Sequence, residues 1–282
     1  MRGIVAAMFL IGICAGQATP SPEQREEVNT IMMKSTFRIV GSNHEMGTGF
    51  IVGRPIPNSI SFAYVLVTAA HVLAAMNSDS ATLIVRTQDT QKHWQPIPVP
   101  LQLRSNGRTL WVENPSADVA AMYVRLPIGV LPTVVPETLL AVDGDLAKYE
   151  VHPGDELNVL GYPLGASGPN DFPILRSGKI ASYPLIPSKD NPYFLLDFRV
   201  FKGNSGGPAY LVSYNRAYVG GISLGTVAMV LGLVSEEIGF TQQTQELYET
   251  RVQTTPLSLA KVVPSTLIRE TIDILPPPKE GQ

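Results

Sequence analysis

The chain has 282 residues, 44% of them hydrophobic and 16% charged, with a formal net charge of −3. That supplies apolar material for one large all-β domain or two small lobes, and without a long basic run it lacks the electrostatic footprint of a nucleic-acid binder. Glycine and proline number 24 each and are scattered, the mark of many turns between short apolar runs.

The first residues, "MRGIVAAMFLIGICAGQATP", carry Arg2, an apolar run from Ile4 to Ile13 and then small residues. The pattern predicts an export signal over 1–18, cut after Ala18, because the apolar run is short for a bilayer span. A retained membrane anchor is the alternative. Cys14 is the sole cysteine, so the mature chain would hold no thiol and form no internal disulfide. Lipid attachment at Cys14 is a minor alternative, since Ile13 stands where a lipidation motif takes a small residue. The mature protein is expected to be exported, periplasmic or secreted, with no membrane span.

From 19 to 275 one folded domain is expected. "SPEQREEVNTIMMKS" predicts a helix, with Ser21 as cap, Pro22 at the first position and acidic residues early. Past Lys34 the runs become short, β-branched and aromatic: "TFRIVGS", "GTGFIVG", "FAYVLVTAA", "TLIVRT", "VAAMYVRL", "ELNVLGY", "FLLDFRV", "PAYLVSY" and "AYVGGISLG". Turn-forming residues bound each one, as in a sandwich or barrel. The Asn106-Gly107 step predicts a hairpin. Proline-rich 130–139 is the connector between an N-terminal lobe of about 35–130 and a C-terminal lobe of about 140–255. A helix-period stretch begins at Ser265, and 276–282 is expected to be a flexible tail.

At 202–208 "KGNSGGP" surrounds one hydroxyl with three glycines. A turn needs one residue at positive φ and rarely three. The other reading makes Ser205 a nucleophile, with the N–H groups of Gly203 and Ser205 aimed at a developing oxyanion. Such a serine needs a base, and the base needs an orienting acid. Of the four histidines, His71 in "VLVTAAHVL" follows an apolar strand, beside alanines that leave room for an imidazole. His44, His93 and His152 read as solvated surface residues. Asp118 in "PSADVAAMYV" stands at a strand entrance, where it is either a turn cap or the acid. Its rival Asp197 lies eight residues before Ser205, roughly 25 Å away along an extended chain, so Asp118 is preferred.

The order His71, Asp118, Ser205 in "VTAAHV", "ADVAAMYV" and "GNSGGP" resembles the trypsin-like (chymotrypsin-fold) serine peptidases. Within them the chain is most similar to the disulfide-free bacterial HtrA/DegP-like branch, here without a PDZ domain. "GTGFIVG", "PGDELNVLGYPLG" and "LRSGKIAS" carry that likeness, which runs from about Thr36 to Val227. The resemblance implies an all-β fold of two packed six-stranded antiparallel β-barrels, to which this chain adds an N-terminal and a C-terminal helix. It implies Ser205 as nucleophile, His71 as general base and then acid, Asp118 as orienter, and Gly203 and Ser205 as oxyanion-hole donors. Ser223, Leu224 and Gly225 match the family's Ser-Trp-Gly edge strand that pairs with the substrate backbone. Arg199, Val200 and Phe201 align with the pocket for the residue before the scissile bond. An inward Arg199 would favour an acidic side chain there, and Val200 with Phe201 a small or aliphatic one. The aliphatic choice is expected, because burying an unpaired guanidinium is costly. Asn204 stands where vertebrate trypsins have aspartate, so their zymogen switch is not expected.

The resemblance implies protein or peptide substrates and calls for no metal, no cofactor and no nucleic acid. An exported serine endopeptidase is the leading expectation. The alternatives are a catalytically silent binding module of the same fold, and a serine esterase on the same scaffold. "GNSGG" also fits the nucleophile elbow of α/β-hydrolases formally, but there the serine precedes its acid and histidine.

Overall fold

The computed structural model describes residues 27–278 apart from 128, 131 and 246–249. The expected signal at 1–18, Cys14, the Ser21 cap, Pro22 and tail residues 279–282 lie outside the described residues. The first described helix, α1 (Val28–Ser35), takes extended Glu27 rather than Ser21 as its cap, and the Glu27 carboxylate accepts from Thr30 N–H at 3.1 Å.

The first lobe contains β1 (Thr36–Val40), β2 (Met46–Pro55), β3 (Phe62–Thr68), the short helix α2 (Ala70–Ala75), β4 (Ser80–Gln88) and β5 (Trp94–Gln102). It continues through β6 (Arg104–Ser105), β7 (Arg108–Thr109), β8 (Val112–Glu113), β9 (Ala120–Tyr123) and β10 (Val135–Pro136). As expected, Asn106 and Gly107, at φ 51° and 73°, turn the β6–β7 hairpin. The sheet runs β5-β4-β1-β2-β3-β9-β8, with β10 pairing parallel to β2. This lobe differs in detail from a closed six-stranded barrel, because the path of pairing ends at β5. Pro96, Pro98 and Pro100 recur at alternate positions there. They strip one side of the strand of donors, while residues between them pair with β4.

The second lobe begins with α3 (Asp143–Lys148) and contains β11 (Glu156–Gly161), β12 (Ile174–Ile180), β13 (Phe194–Asp197) and β14 (Pro208–Tyr214). A small ribbon follows, β15 (Ala217–Tyr218) and β16 (Gly221–Ile222), then β17 (Thr226–Gln245), β18 (Thr250–Pro264) and α4 (Ser265–Ile274). Six of these close a barrel, β11-β12-β13-β18-β17-β14. Its last strand reaches Pro264, beyond the expected limit near 255, and β17 and β18 run on together past the barrel as a long hairpin, from Gly239↔Pro256 to Gln245↔Thr250.

Between the lobes β10 lies on β2, and Leu140 then bridges Val230 of β17. Helix α4 buries Leu267, Ile268 and Ile272 in the same cluster as Val65 and Val67 of β3 and Leu233 of β17, so apolar burial glues the lobes together. The expected flexible tail starts held down, since Tyr123 Oη donates to Pro276 O at 2.6 Å. Among the described residues no helix is long and apolar enough to cross a membrane.

Candidate active site

Strand pairing carries His71 and Asp118 to each other. Antiparallel β3 and β9 match Thr68 with Ala120; the residues just beyond that pair, Ala70–His71 and Asp118, therefore face across the same end. Where a strand end was expected, His71 occupies the first turn of α2. The Asp118 loop is pinned from behind: Asn114 N–H donates to Val119 O at 3.0 Å, and its buried amide reaches Leu267 O and Thr271 Oγ1 of α4 at 3.3 Å each.

Asp118 grips His71 twice, accepting from the backbone N–H at Oδ1 (2.9 Å) and from the ring Nδ1 at Oδ2 (2.7 Å). A carboxylate only accepts, so Nδ1 carries the proton and Nε2 keeps its lone pair. The ring is about half exposed, its side chain 49% accessible. Its hydrogen bond to Asp118 raises the imidazole pKa above the ordinary value against the opposing effect of burial, with the charges of Asp118 and Glu236 adding to the rise. For Asp118, burial pushes the carboxyl pKa upward, but hydrogen bonds from the His71 ring, Ser235 and the His71 backbone outweigh it and hold the value down at about 2. The rival Asp197 is exposed on β13 and paired with Lys179 and Leu259. His44, His93 and His152 are exposed, as expected.

The serine turn is stitched to the first lobe through buried Thr48. Thr48 Oγ1 donates to Gly203 O at 2.6 Å, Thr48 N–H to Ser205 O at 2.9 Å, and Thr68 Oγ1 to Thr48 O at 2.6 Å. Two glycines are required by close approach as well as by positive φ. A Cβ on Gly203 (φ 97°) would stand 2.3 Å from Tyr162 O; one on Gly206 (φ 86°) would stand 2.0 Å from Thr48 O, 2.2 Å from Thr68 Oγ1 and 3.0 Å from Ala69 N. The last distance shows that the Gly206 backbone lies close to Ala69, the residue before α2 and His71. Tyr162 is fixed in turn by buried Arg86, which donates to its hydroxyl at 2.9 Å. Among the described residues the N–H groups of Gly203 and Ser205 meet no internal acceptor, and no hydrogen bond joins Ser205 Oγ to His71 in this conformation. Asn204 is buried, 1% accessible, and as a neutral amide it brings no buried anion into the turn.

The strand beside this turn is not the one expected. Ser223, Leu224 and Gly225 lie at the far end of the ribbon: Ser223 N–H donates to Arg216 O, Gly225 N–H to Asn215 Oδ1, and Leu224 is 89% accessible. Segment 233–237 of β17 takes the position instead. Gly206 N–H donates to Val234 O at 2.7 Å, Val234 N–H donates to Gly207 O at 2.9 Å, and Ser235 Oγ donates to Asp118 Oδ2. The register jump between Val234 and Glu237 leaves Ser235 and Glu236 without a partner in β18. Ser235, Thr48 and Thr68 were missed as site residues. "GLVSEE" offers the same serine after an apolar run as "GGISLG", and the literal match to Ser-Trp-Gly favoured the wrong copy.

The expected pocket trio splits by alternation. Val200 is buried at 7% in the barrel core, so it does not line a cleft, while Arg199 points outward and is exposed. Phe201 is half-buried and its carbonyl accepts from Asn204 N–H at 2.9 Å. A separate concavity, lined by Leu146, His152, Tyr183 and Leu185 among others, contains none of the sequence-predicted site residues.

The family described as trypsin-like peptidase domain has a model that matches residues 47–220. No curated protein matches the chain. Among solved structures it is similar to human heparin binding protein, at 13% identity and a TM-score of 0.51, covering 89% of this chain and 96% of that one. It is also similar to the Rv3671c protein of M. tuberculosis H37Rv, solved as an inactive-form mutant (19% identity, 91% and 94% covered, TM-score 0.47). The protease Anisep from Arthrobacter nicotinovorans is a third such structure (14% identity, 86% and 94% covered, TM-score 0.48). The fold is chymotrypsin-like, mostly β with few helices.

Proposed function

The chain belongs to the trypsin-like peptidase family, and on that premise we propose that it is a serine endopeptidase working through Ser205, His71 and Asp118. The observation that carries this reading is the two-point grip of Asp118 on His71, which leaves Nε2 as the basic atom of the ring. In the first step His71 Nε2 takes the Ser205 proton while Oγ bonds to the scissile carbonyl carbon. The negative charge moves onto the carbonyl oxygen, where the unengaged N–H groups of Gly203 and Ser205 receive it. The imidazolium then gives its proton to the leaving amine as the C–N bond breaks. Water, deprotonated by His71, attacks the acyl-enzyme; the C–Oγ bond breaks, the proton returns to Ser205, and acid product leaves. The charge of Asp118 stabilises the imidazolium in both halves.

Substrate backbone pairs with β17 at Ser235 and Glu236, the two residues that the register jump leaves without a partner in β18. The HtrA/DegP-like branch and export after cleavage at Ala18 remain part of the proposal, carried by the sequence motifs. The intact His71–Asp118 pair and the unengaged N–H groups favour this reading over a catalytically silent module. An esterase would use the same acyl transfer, so only substrate choice separates it. Ser205→Ala should keep the fold and lose about 10^4-fold or more of its casein hydrolysis. Wild-type casein turnover in that variant would sink the proposal, and hydrolysis of simple esters without any cleavage of casein would assign an esterase.

A further inference from the structure

Two guanidinium groups stand beside the serine turn with no anion to meet them. Arg176 on β12 donates from Nη1 to Arg199 O at 2.8 Å, and its guanidinium lies over Phe198 and Phe201 at 4.2 and 5.4 Å. Arg199 lies over the same Phe201 ring at 5.1 Å. Neither arginine forms an ion pair among the described residues, whereas Arg38, Arg54 and Arg216 each do. Burial, and after it the charge of Arg199, pull the Arg176 pKa down.

Position makes the pair informative. Phe201 is tied to the turn by Asn204 N–H, and the N–H groups of Gly203 and Ser205 fix where a scissile carbonyl oxygen would sit. The residue supplying that carbonyl carries its side chain only a few bonds away, so it must lie near the segment leading into the turn. Alternation buries Phe198 and Val200 and turns Arg199 outward, so it is an exposed cation of that segment, as is Lys202 just before the turn. Of the two, Arg199 is the one stacked with Arg176 on Phe201. The cost of burying an unpaired guanidinium, which favoured an aliphatic side chain from sequence alone, does not arise for an exposed Arg199.

We propose that Arg199 and Arg176 form the anion site for the side chain immediately before the scissile bond, so that the enzyme selects glutamate or aspartate there. This rests on the peptidase reading above. Two cations stacked on one aromatic ring repel each other until a carboxylate accepts hydrogen bonds from both.

The test uses the purified chain and end-blocked, internally quenched peptides that differ only in carrying Glu, Gln, Leu or Lys before one cleavable bond. Blocked ends leave the side chain as the variable carboxylate at that bond, so a C-terminal carboxylate cannot be its source. The Glu peptide should exceed the isosteric Gln peptide in kcat/KM by about tenfold or more, the worth of a charge-assisted hydrogen bond. Arg199→Gln should collapse that ratio, and Arg199→Glu should shift preference toward the Lys peptide. A wild-type ratio near one, a preference for Leu or Lys, or a ratio unmoved by either variant overturns the proposal. A fluorophosphonate probe separates the two levels. Probe labelling with charge-indifferent cleavage overturns only the acidic preference, while neither labelling nor cleavage overturns the peptidase reading with it.

Discussion

Strands β14 and β17 share a ladder with two very different ends. At the Pro208–Leu233 end, Val234 exchanges hydrogen bonds with Gly206 and Gly207, Ser235 reaches Asp118, and Thr48 holds the turn from the first lobe. At the Tyr214–Thr226 end the chain runs into an exposed ribbon, with Val219 66% and Leu224 89% accessible. The same pair of strands is therefore firmly built where the first lobe closes over it and loosely finished where it does not. Catalytic geometry needs atoms held to fractions of an ångström, and only the first end has partners enough to supply that.

The strongest way to break the built end is to remove the anion that orients His71. Asp118→Asn should lower kcat by about 10^4-fold while the protein still folds, because the amide lets the imidazole adopt the wrong tautomer. Circular dichroism beside peptide turnover checks both halves; unchanged kcat would detach Asp118 from the chemistry. Ser235→Ala should cost less, about tenfold to a hundredfold in kcat/KM, the loss of one hydrogen bond to a charged group. An unaltered rate would make that contact a bystander.

A smaller effect concerns pH. The neutral imidazole is the base, so activity should fall as pH drops through a His71 pKa that Asp118 and Glu236 hold above its ordinary value. Glu236→Gln should move the acid limb of the kcat/KM profile to lower pH, and a shift upward would contradict the assigned electrostatics. At the loose end, Leu224→Ser should change activity by no more than about twofold, as at other exposed sites. A large loss would return the substrate edge to the ribbon.

Much of the site was legible because its constraints are local. The glycines of "KGNSGGP" mark a backbone that passes close to Tyr162 O and Thr48 O, and "TAAHV" marks an imbalance of small residues around one imidazole. Ser235 was illegible for the opposite reason. Whether "GISLG" or "LVSEE" lies beside the turn depends on which stretch of chain returns along β14, a pairing set far from either string. The hairpin formed by β17 and β18 was also missed, since "FTQQTQ" and "TRVQTTP" lack the alternating apolar pattern that marks a half-buried strand. The open edge of the first lobe was written in Pro96, Pro98 and Pro100, but alternate prolines read as an edge only once their partner strand is known.

Covalent labelling tests the nucleophile most directly. The purified chain would be treated with a fluorophosphonate, digested and mapped by mass spectrometry, with His71→Ala run in parallel. One adduct, on Ser205, absent from His71→Ala, is the expected result. No adduct on the folded wild-type chain, or an adduct on another residue with Ser205 unmodified, would contradict the assignment of Ser205 as the nucleophile and leave "KGNSGGP" a turn.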